Sequence, residues 1–274
     1  MSSSGSLGAG VRAAALVLVA VSSLAAAPKP DRLAAARRFY NDRQYDQALE
    51  SAKQAATTPA TASSGRLIMG RARLERYRQA LVPRELDDAR ADFRAADPQA
   101  LDARERIELQ AGLGELLYLE DRFGPAAELL DPVVESSAAL APDAHAHALD
   151  WWATALDRQT QSLPAAERAT SYARLIGRME QELRRDPACA PAAYWLAAAA
   201  RAGGDLDRAW AAASAGWIRA ALGHDRGIAL RADLDKLVIQ GIIPDRAAKV
   251  PARERRQAAA TMAAEWDAFK KIYQ

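Results

Sequence analysis

Apolar residues along this chain recur mostly at spacings of three and four, in paired stretches separated by short polar turns. From Ala111 the chain reads AGLGELLYLEDRFGPAAELLDPVVE, from Ala192 AAYWLAAAARAGGDLDRAWAAASAG, and from Leu33 LAAARRFYNDRQYDQALESAKQAA. Each copy has a stretch rich in small and apolar residues, a polar turn, and a second stretch that opens on an aromatic residue or Leu and an Ala. The period predicts two amphipathic helices per copy. A hairpin of this size cannot bury its apolar faces alone, so the copies must stack into a solenoid. Strand-type alternation of Val, Ile and Thr is nearly absent. The fold expected is all-α: an α-solenoid of about five antiparallel helix hairpins, with capping helices at its C-terminal end.

The first hairpin starts at Asp31, a plausible N-cap. Leu33, Ala36 and Phe39 share one face, the turn runs from Asn41 to Gln44, and Tyr45, Ala48, Leu49, Ala52 and Ala55 form the facing stripe. The second begins near Ser64, with Leu67, Gly70, Leu74, Tyr77 and Leu81 as its stripe. Pro83 is expected to end that helix, and a turn longer than in the other copies leads to Leu86, Ala89, Phe93 and Ala96. In the third, over residues 101–136, Leu113, Leu116 and Leu117 face Phe123, Ala126, Leu130 and Val133. Pro132 removes a bond to the Glu128 carbonyl and predicts a kink, worth about 3 kcal/mol in a straight helix. The fourth, over 142–185, reads as irregular, with the Trp151-Trp152 pair and a longer turn at QTQSLP. The fifth, over 190–222, is regular, with Gly203-Gly204-Asp205 at its turn.

Beyond it, a helix over 228–240 is expected to stop at Gly241 as C-cap, with Pro244 forbidding continuation. Residues 246–253 read as a polar link. A last helix carries Met262, Trp266, Phe269 and Tyr273 on one stripe, as a cap for the final apolar face. Three segments follow: a leader over 1–27, a repeat region over 28–222 and a helical cap over 223–274.

These copies resemble tetratricopeptide (TPR) repeats, whose unit is a helix pair of about 34 residues. Leu113-Gly114 matches the family's Leu-Gly pair, with Tyr118, Phe123 and Ala126 at its aromatic, turn-proximal and small positions. In the fifth unit Leu196-Ala197, Gly204-Asp205 and Ala209 match, and in the first Ala36, Phe39, Tyr45, Ala48 and Ala55. The resemblance covers roughly residues 31–222. It implies a right-handed superhelix whose first helices line a concave groove, and a protein or peptide partner held there. The Lys/Asn carboxylate clamp of one chaperone-binding subgroup is not implied, because the two matching positions hold Leu33 and Arg37. The repeat register places Arg37, Tyr40, Asn41, Glu115, Tyr118, Tyr194 and Arg201 on the concave side. Such aromatic and Arg side chains desolvate large surfaces while keeping polar handles, which suits them to anchoring a partner.

Alanine makes up about a quarter of the chain, and Ala-rich helices pack at close range. The net charge of the 274 residues is +2. A nucleic-acid or membrane-surface protein would show a larger basic excess, and neither partner is expected. Arg12, the apolar run Ala13–Ala20 and the small residues of VSSLAAA have the layout of a secretory signal, too short for a stable membrane span. Cleavage after Ala25 fits better than after Ala27, where Pro28 follows the scissile bond. The expected location is periplasmic or secreted, with no integral span after cleavage; the competing reading is an uncleaved anchor. Cys189 is the only cysteine, so an intramolecular disulfide is impossible, and it reads as a small apolar filler.

Candidate chemistry is sparse. Asp143, His147 and Asp150 are spaced to share a helix face, whereas His145 points elsewhere. Two ligands and an uncertain third do not make a metal site, and no metal or cofactor is expected. His224-Asp225 reads as a capping turn. Arg66, Arg71, Arg73, Arg76, Arg78 and Arg84 read as a solvated face partly paired with Asp87, Asp88 and Asp92. Of Trp151 and Trp152, one is expected in the core and the other in the groove; Trp195, Trp210 and Trp217 read as packing between helices. Nucleophile elbows, phosphate-binding Gly loops and metalloprotease helices are missing from the sequence. The function expected is therefore a non-enzymatic binding or scaffold module of the bacterial cell envelope. The alternative is an envelope enzyme, or an accessory subunit of a cell-wall or export enzyme, with chemistry near His145, His147 and Asp150.

Overall fold

Ten helices in chain order pair into five consecutive hairpins: α1 (Arg32–Asn41) with α2 (Tyr45–Ala55), α3 (Ala62–Ala80) with α4 (Pro83–Ala95), α5 (Ala103–Leu119) with α6 (Phe123–Ser137), α7 (Pro142–Gln161) with α8 (Ala165–Arg185), and α9 (Ala190–Ala202) with α10 (Leu206–Arg219). They are seen in a computed structural model that describes residues 31–137, 142–223 and 225–273. No strand occurs among the described residues, and the chain is an all-α helical solenoid. The leader with its cleavage site, Pro28 and Pro30, His224, and the Asp143 side chain lie outside the described residues.

Local signals account for several of the helix ends. Asp102 opens α5 with a capping box: its carboxylate accepts from the Glu105 amide at 2.8 Å, and Glu105 accepts from the Asp102 amide at 3.1 Å. Asp205 caps α10 by accepting from the Arg208 amide at 3.0 Å. Four hairpin turns reverse through a residue with positive φ: Arg43, Leu81, Asp121 and Gly204. That left-handed conformation ends a helix and is free of strain only for glycine.

Two hairpins depart from expectation. Pro83 does not end α3. It sits in the first turn of α4, where its missing N–H costs nothing. The turn before it is only Leu81-Val82, shorter than the others, and Leu81 is 69 % exposed at φ 53° rather than part of the stripe. In the fourth hairpin the turn is only residues 162–164, although α7 packs on α8 less closely than the helices of the other hairpins pack on each other. The two helices are simply the longest pair, 20 and 21 residues, and the Gln159–Gln161 segment belongs to α7. Pro132 lies inside α6, which runs on to Ser137 with Val133 and Val134 buried.

Packing explains why α3 shows no single apolar stripe. Ile68, Met69 and Ala72 pack against Ala36, Ala48, Leu49 and Ala52 of the first hairpin. Leu67 and Leu74 pack against Leu86, Ala89, Phe93, Leu109 and Leu116 on the opposite side. A first helix of a solenoid is covered from several directions. First helices touch each other in the series α1–α3–α5–α7–α9, and each second helix packs on the next first helix. The second helices meet each other far less. The first-helix layer is thus the tighter, inner side of the curve.

The tail closes the last hairpin. α11 (Ile228–Leu237) does not stop at Gly241: a π-turn over 238–242 carries it into α12 (Ile243–Ala248). The widened turn accommodates Pro244, which cannot donate an i→i−4 bond. The expected polar link over 246–253 is therefore partly helical. α13 (Arg255–Ile272) places Trp266 against α10. The Trp266 ring is fully buried, edge-on to Trp210 and Trp217, and its Nε1 donates to Asp235 at 2.8 Å. Among the described residues no helix is long and apolar enough to cross a membrane.

Candidate functional site: a groove on the inner face

The first four first-helices, with Tyr45 of α2 and Val133 and Ser137 of α6, enclose a groove with a cavity volume of about 350 Å³. Ala111 and Gly112 of α5 make a low floor. Above it stand Tyr40, Arg71, Glu75, Arg78, Glu108, Glu115, His147 and Trp151. A second cavity of the same volume continues along α1 and α5, past Arg37, Asn41 and Glu105.

Charges in the groove are laid out as a ladder. Arg37 pairs with Glu105, and Arg71 donates to Glu108 at 2.7 Å while its guanidinium covers the Tyr40 ring at 4.5 Å. Arg78 lies 5.5 Å over the Trp151 ring and reaches Glu75 and Glu115 at 3.4 and 3.5 Å. His147 stacks on Trp151, their centroids 6.1 Å apart. Burial pushes the Glu115 carboxyl up to about 7, against the pull of Arg78. Burial likewise raises the Tyr40 hydroxyl to about 12, with Arg71 opposing.

The structure gathers four of the sequence-predicted residues, Arg37, Tyr40, Asn41 and Glu115, around this space. Tyr118 lies just beyond, edge-on to Phe123. Tyr194 packs edge-on against Trp195, whose Nε1 donates to Asp150 at 2.8 Å. Burial and then the nearby Asp150 raise the Tyr118 hydroxyl; burial and then Asp233 and Asp150 raise that of Tyr194. Arg201 is engaged elsewhere: it donates to Asp245 of α12 at 2.7 Å and lies against Gly241, so it clasps the tail.

The two tryptophans divide as expected, with Trp152 fully buried and Trp151 on the groove. The arginine-rich stretch splits. Arg73 reaches Glu85, Asp88 and Asp92, and Arg66 reaches Asp92, on the outer side, while Arg71 and Arg78 turn inward. The inward roles of Arg71, Glu75, Arg78 and Glu108 escape a reading based on one stripe per helix. Their spacing at 71, 75 and 78 on α3, and at 108 and 115 on α5, marks one polar edge of each.

His145, His147 and Asp150 do not converge. Asp150 accepts from Trp195, and His147 faces the groove. His145 bridges Ser137 (Nδ1, 2.9 Å) and Glu182 (Nε2, 2.9 Å), tying α6, α7 and α8 together. Ser137 sits at the groove floor but is only 1 % exposed. Among the described residues no group of His, Cys, Asp and Glu is placed to hold a metal ion. Cys189 is half-buried, and burial raises its thiol to about 11, which suits a packing role.

Comparison with protein-family models, with curated proteins and with solved structures finds no match.

Proposed function

We propose that this chain is a TPR-like, non-enzymatic binding module of the bacterial cell envelope that seats a segment of a protein partner in its inner groove. The observation that carries this reading is the cavity wall of aromatic and charged side chains, Tyr40, Arg71, Arg78, Glu115 and Trp151, on the first-helix layer. Aromatic and Arg groups of this kind supply most of the energy at peptide and protein interfaces. The layout of residues 1–27 supports export. N-terminal sequencing of the exported protein tests that part; an intact Met1 in a cytosolic fraction would sink it.

Selection from a random peptide library displayed on phage tests the groove. Selected peptides should bind the Trp151→Ala and Arg78→Ala proteins about tenfold or more weaker than the unchanged protein. Arg174→Ala, on the second-helix side, should leave binding intact. Loss with Arg174→Ala and none with the groove variants would refute the groove.

A second reading, an envelope hydrolase, draws on one observation: Ser137, His145 and Glu182 form a hydroxyl–imidazole–carboxylate chain. Labelling of Ser137 by a fluorophosphonate decides between the two. The binding reading predicts no labelling, because the Ser137 hydroxyl is buried.

A further inference from the structure

At the middle of the groove two carboxylates share one cation. Glu75 and Glu115 both lean on Nη1 of Arg78, at 3.4 and 3.5 Å, the long limit of hydrogen bonding. Arg71, the neighbouring cation, is committed to Glu108 and to the Tyr40 ring. Glu75 has Tyr45 as a second partner. Glu115 has Arg78 as its one hydrogen-bond partner among the described residues, with the Arg71 charge nearby, although it is just 8 % exposed and lines the cavity. A carboxylate taken this far out of water calls for more donors than one long contact provides. The walls beside it are the rings of Tyr40, Tyr45 and Trp151. A poorly paired buried acid among aromatic rings suits a cation carried on an apolar stem.

Resting on the groove as a peptide seat, we infer that its occupant presents a Lys or Arg side chain, with the charged end between Glu75 and Glu115 and the methylene stem along Trp151 and Tyr40. An acidic segment would bring a further carboxylate toward Glu75, Glu108 and Glu115, whose cations are already engaged. The groups facing Glu115 are Tyr40 of α1, Arg71, Glu75 and Arg78 of α3, Glu108 of α5 and His147 of α7, with Arg43 and Tyr45 at the rim. An arriving cation favours the ionised carboxylate. Glu115 is half-protonated near pH 7 in the empty groove, so below that pH the ligand must drive a proton off, and affinity falls as pH is lowered.

The peptides selected on the full chain provide the test. Their recovered sequences should be enriched in Lys or Arg at one position. Calorimetric titration of one such peptide should lose about tenfold in affinity when its basic residue becomes Gln. The same loss should follow Glu115→Gln or Glu75→Gln in the protein, each checked for unchanged helicity, and with Glu115→Gln the difference between pH 6 and pH 8 should flatten. His147→Gln should keep that difference. Binders that depend on Trp151 but lack basic enrichment, or that prefer Glu, overturn this inference and leave the peptide seat standing. Binders indifferent to Trp151→Ala, or none at all, overturn both. If 1,4-diaminobutane binds as tightly as the peptide, the occupant is a small amine and the peptide assignment fails.

Discussion

Alanine at Gly70 and at Gly177 should move stability in opposite directions. Both glycines lie inside helices, α3 and α8, where Gly→Ala by itself gains about 0.5–1 kcal/mol through backbone entropy. At Gly177 an added Cβ meets nothing within 4 Å, so the whole gain should appear. At Gly70 it would stand 2.5, 2.6 and 2.8 Å from three carbons of the Phe93 ring. Carbon contacts are comfortable at about 3.5–4.0 Å, so the ring must retreat by about an ångström. It has nowhere to go. Phe93 is 3 % exposed, and its other side rests on Gly112, where an added Cβ would lie 2.6 Å away. Overpacking of this kind costs about 1–3 kcal/mol, which leaves Gly70→Ala destabilised by about 0.5–2 kcal/mol after the helix gain. Urea unfolding followed by helical circular dichroism measures both variants. Adding Phe93→Leu to Gly70→Ala should recover part of the loss, as a coupling of about 0.5–2 kcal/mol in a double-mutant cycle. The reasoning fails if Gly70→Ala is as stable as the unchanged protein, or if Gly177→Ala is destabilised.

Asp102→Ala removes the capping box of α5 and should cost about 0.5–2 kcal/mol in the same assay; an unchanged midpoint would count against the cap. Asp245→Ala should loosen the tail clasped by Arg201, seen as faster amide exchange over α11–α12 while α3 and α5 keep their protection. Glu115→Gln should alter the pH dependence of stability. The folded carboxyl sits near 7 against an ordinary 4.5, so the native state holds a proton that the unfolded chain releases between those values. The buried group therefore lowers stability as pH rises from 4.5 to 7, by up to about 3 kcal/mol at about 1.4 kcal/mol per tenfold change in proton affinity. The variant should lack that decline, and equal slopes in the two proteins would contradict it.

The helix period exposes most of the fold because the hairpins repeat a few decisions: small residues where helices meet, a short turn, and in the first and third an aromatic, Tyr45 or Phe123, at the start of the second helix. The misreadings share a cause. Pro83 and Pro244 are taken as stops, yet Pro83 sits in the first turn of α4, where its missing N–H has no partner to lose, and Pro244 follows a π-turn that carries the helical backbone on. Leu81 looks like a core residue by spacing, but it takes the left-handed turn position and faces solvent. The groove is half legible. Register alone brings Tyr40 and Glu115 to the inner face. The inward turn of Arg71 and Arg78 depends on α3 being wedged between α1 and α5, a neighbourhood that no single-helix periodicity encodes. Arg201 fails as a groove residue because α12 approaches it from outside the repeat pattern.

Photo-crosslinking tests the central claim most directly. A benzophenone side chain at position 41, which lines both cavities of the inner face, should crosslink a selected peptide to the protein. The same group at position 174, on the second-helix side, should not. Crosslinking at 174 with none at 41 would place the binding surface on the wrong side of the solenoid and contradict the account.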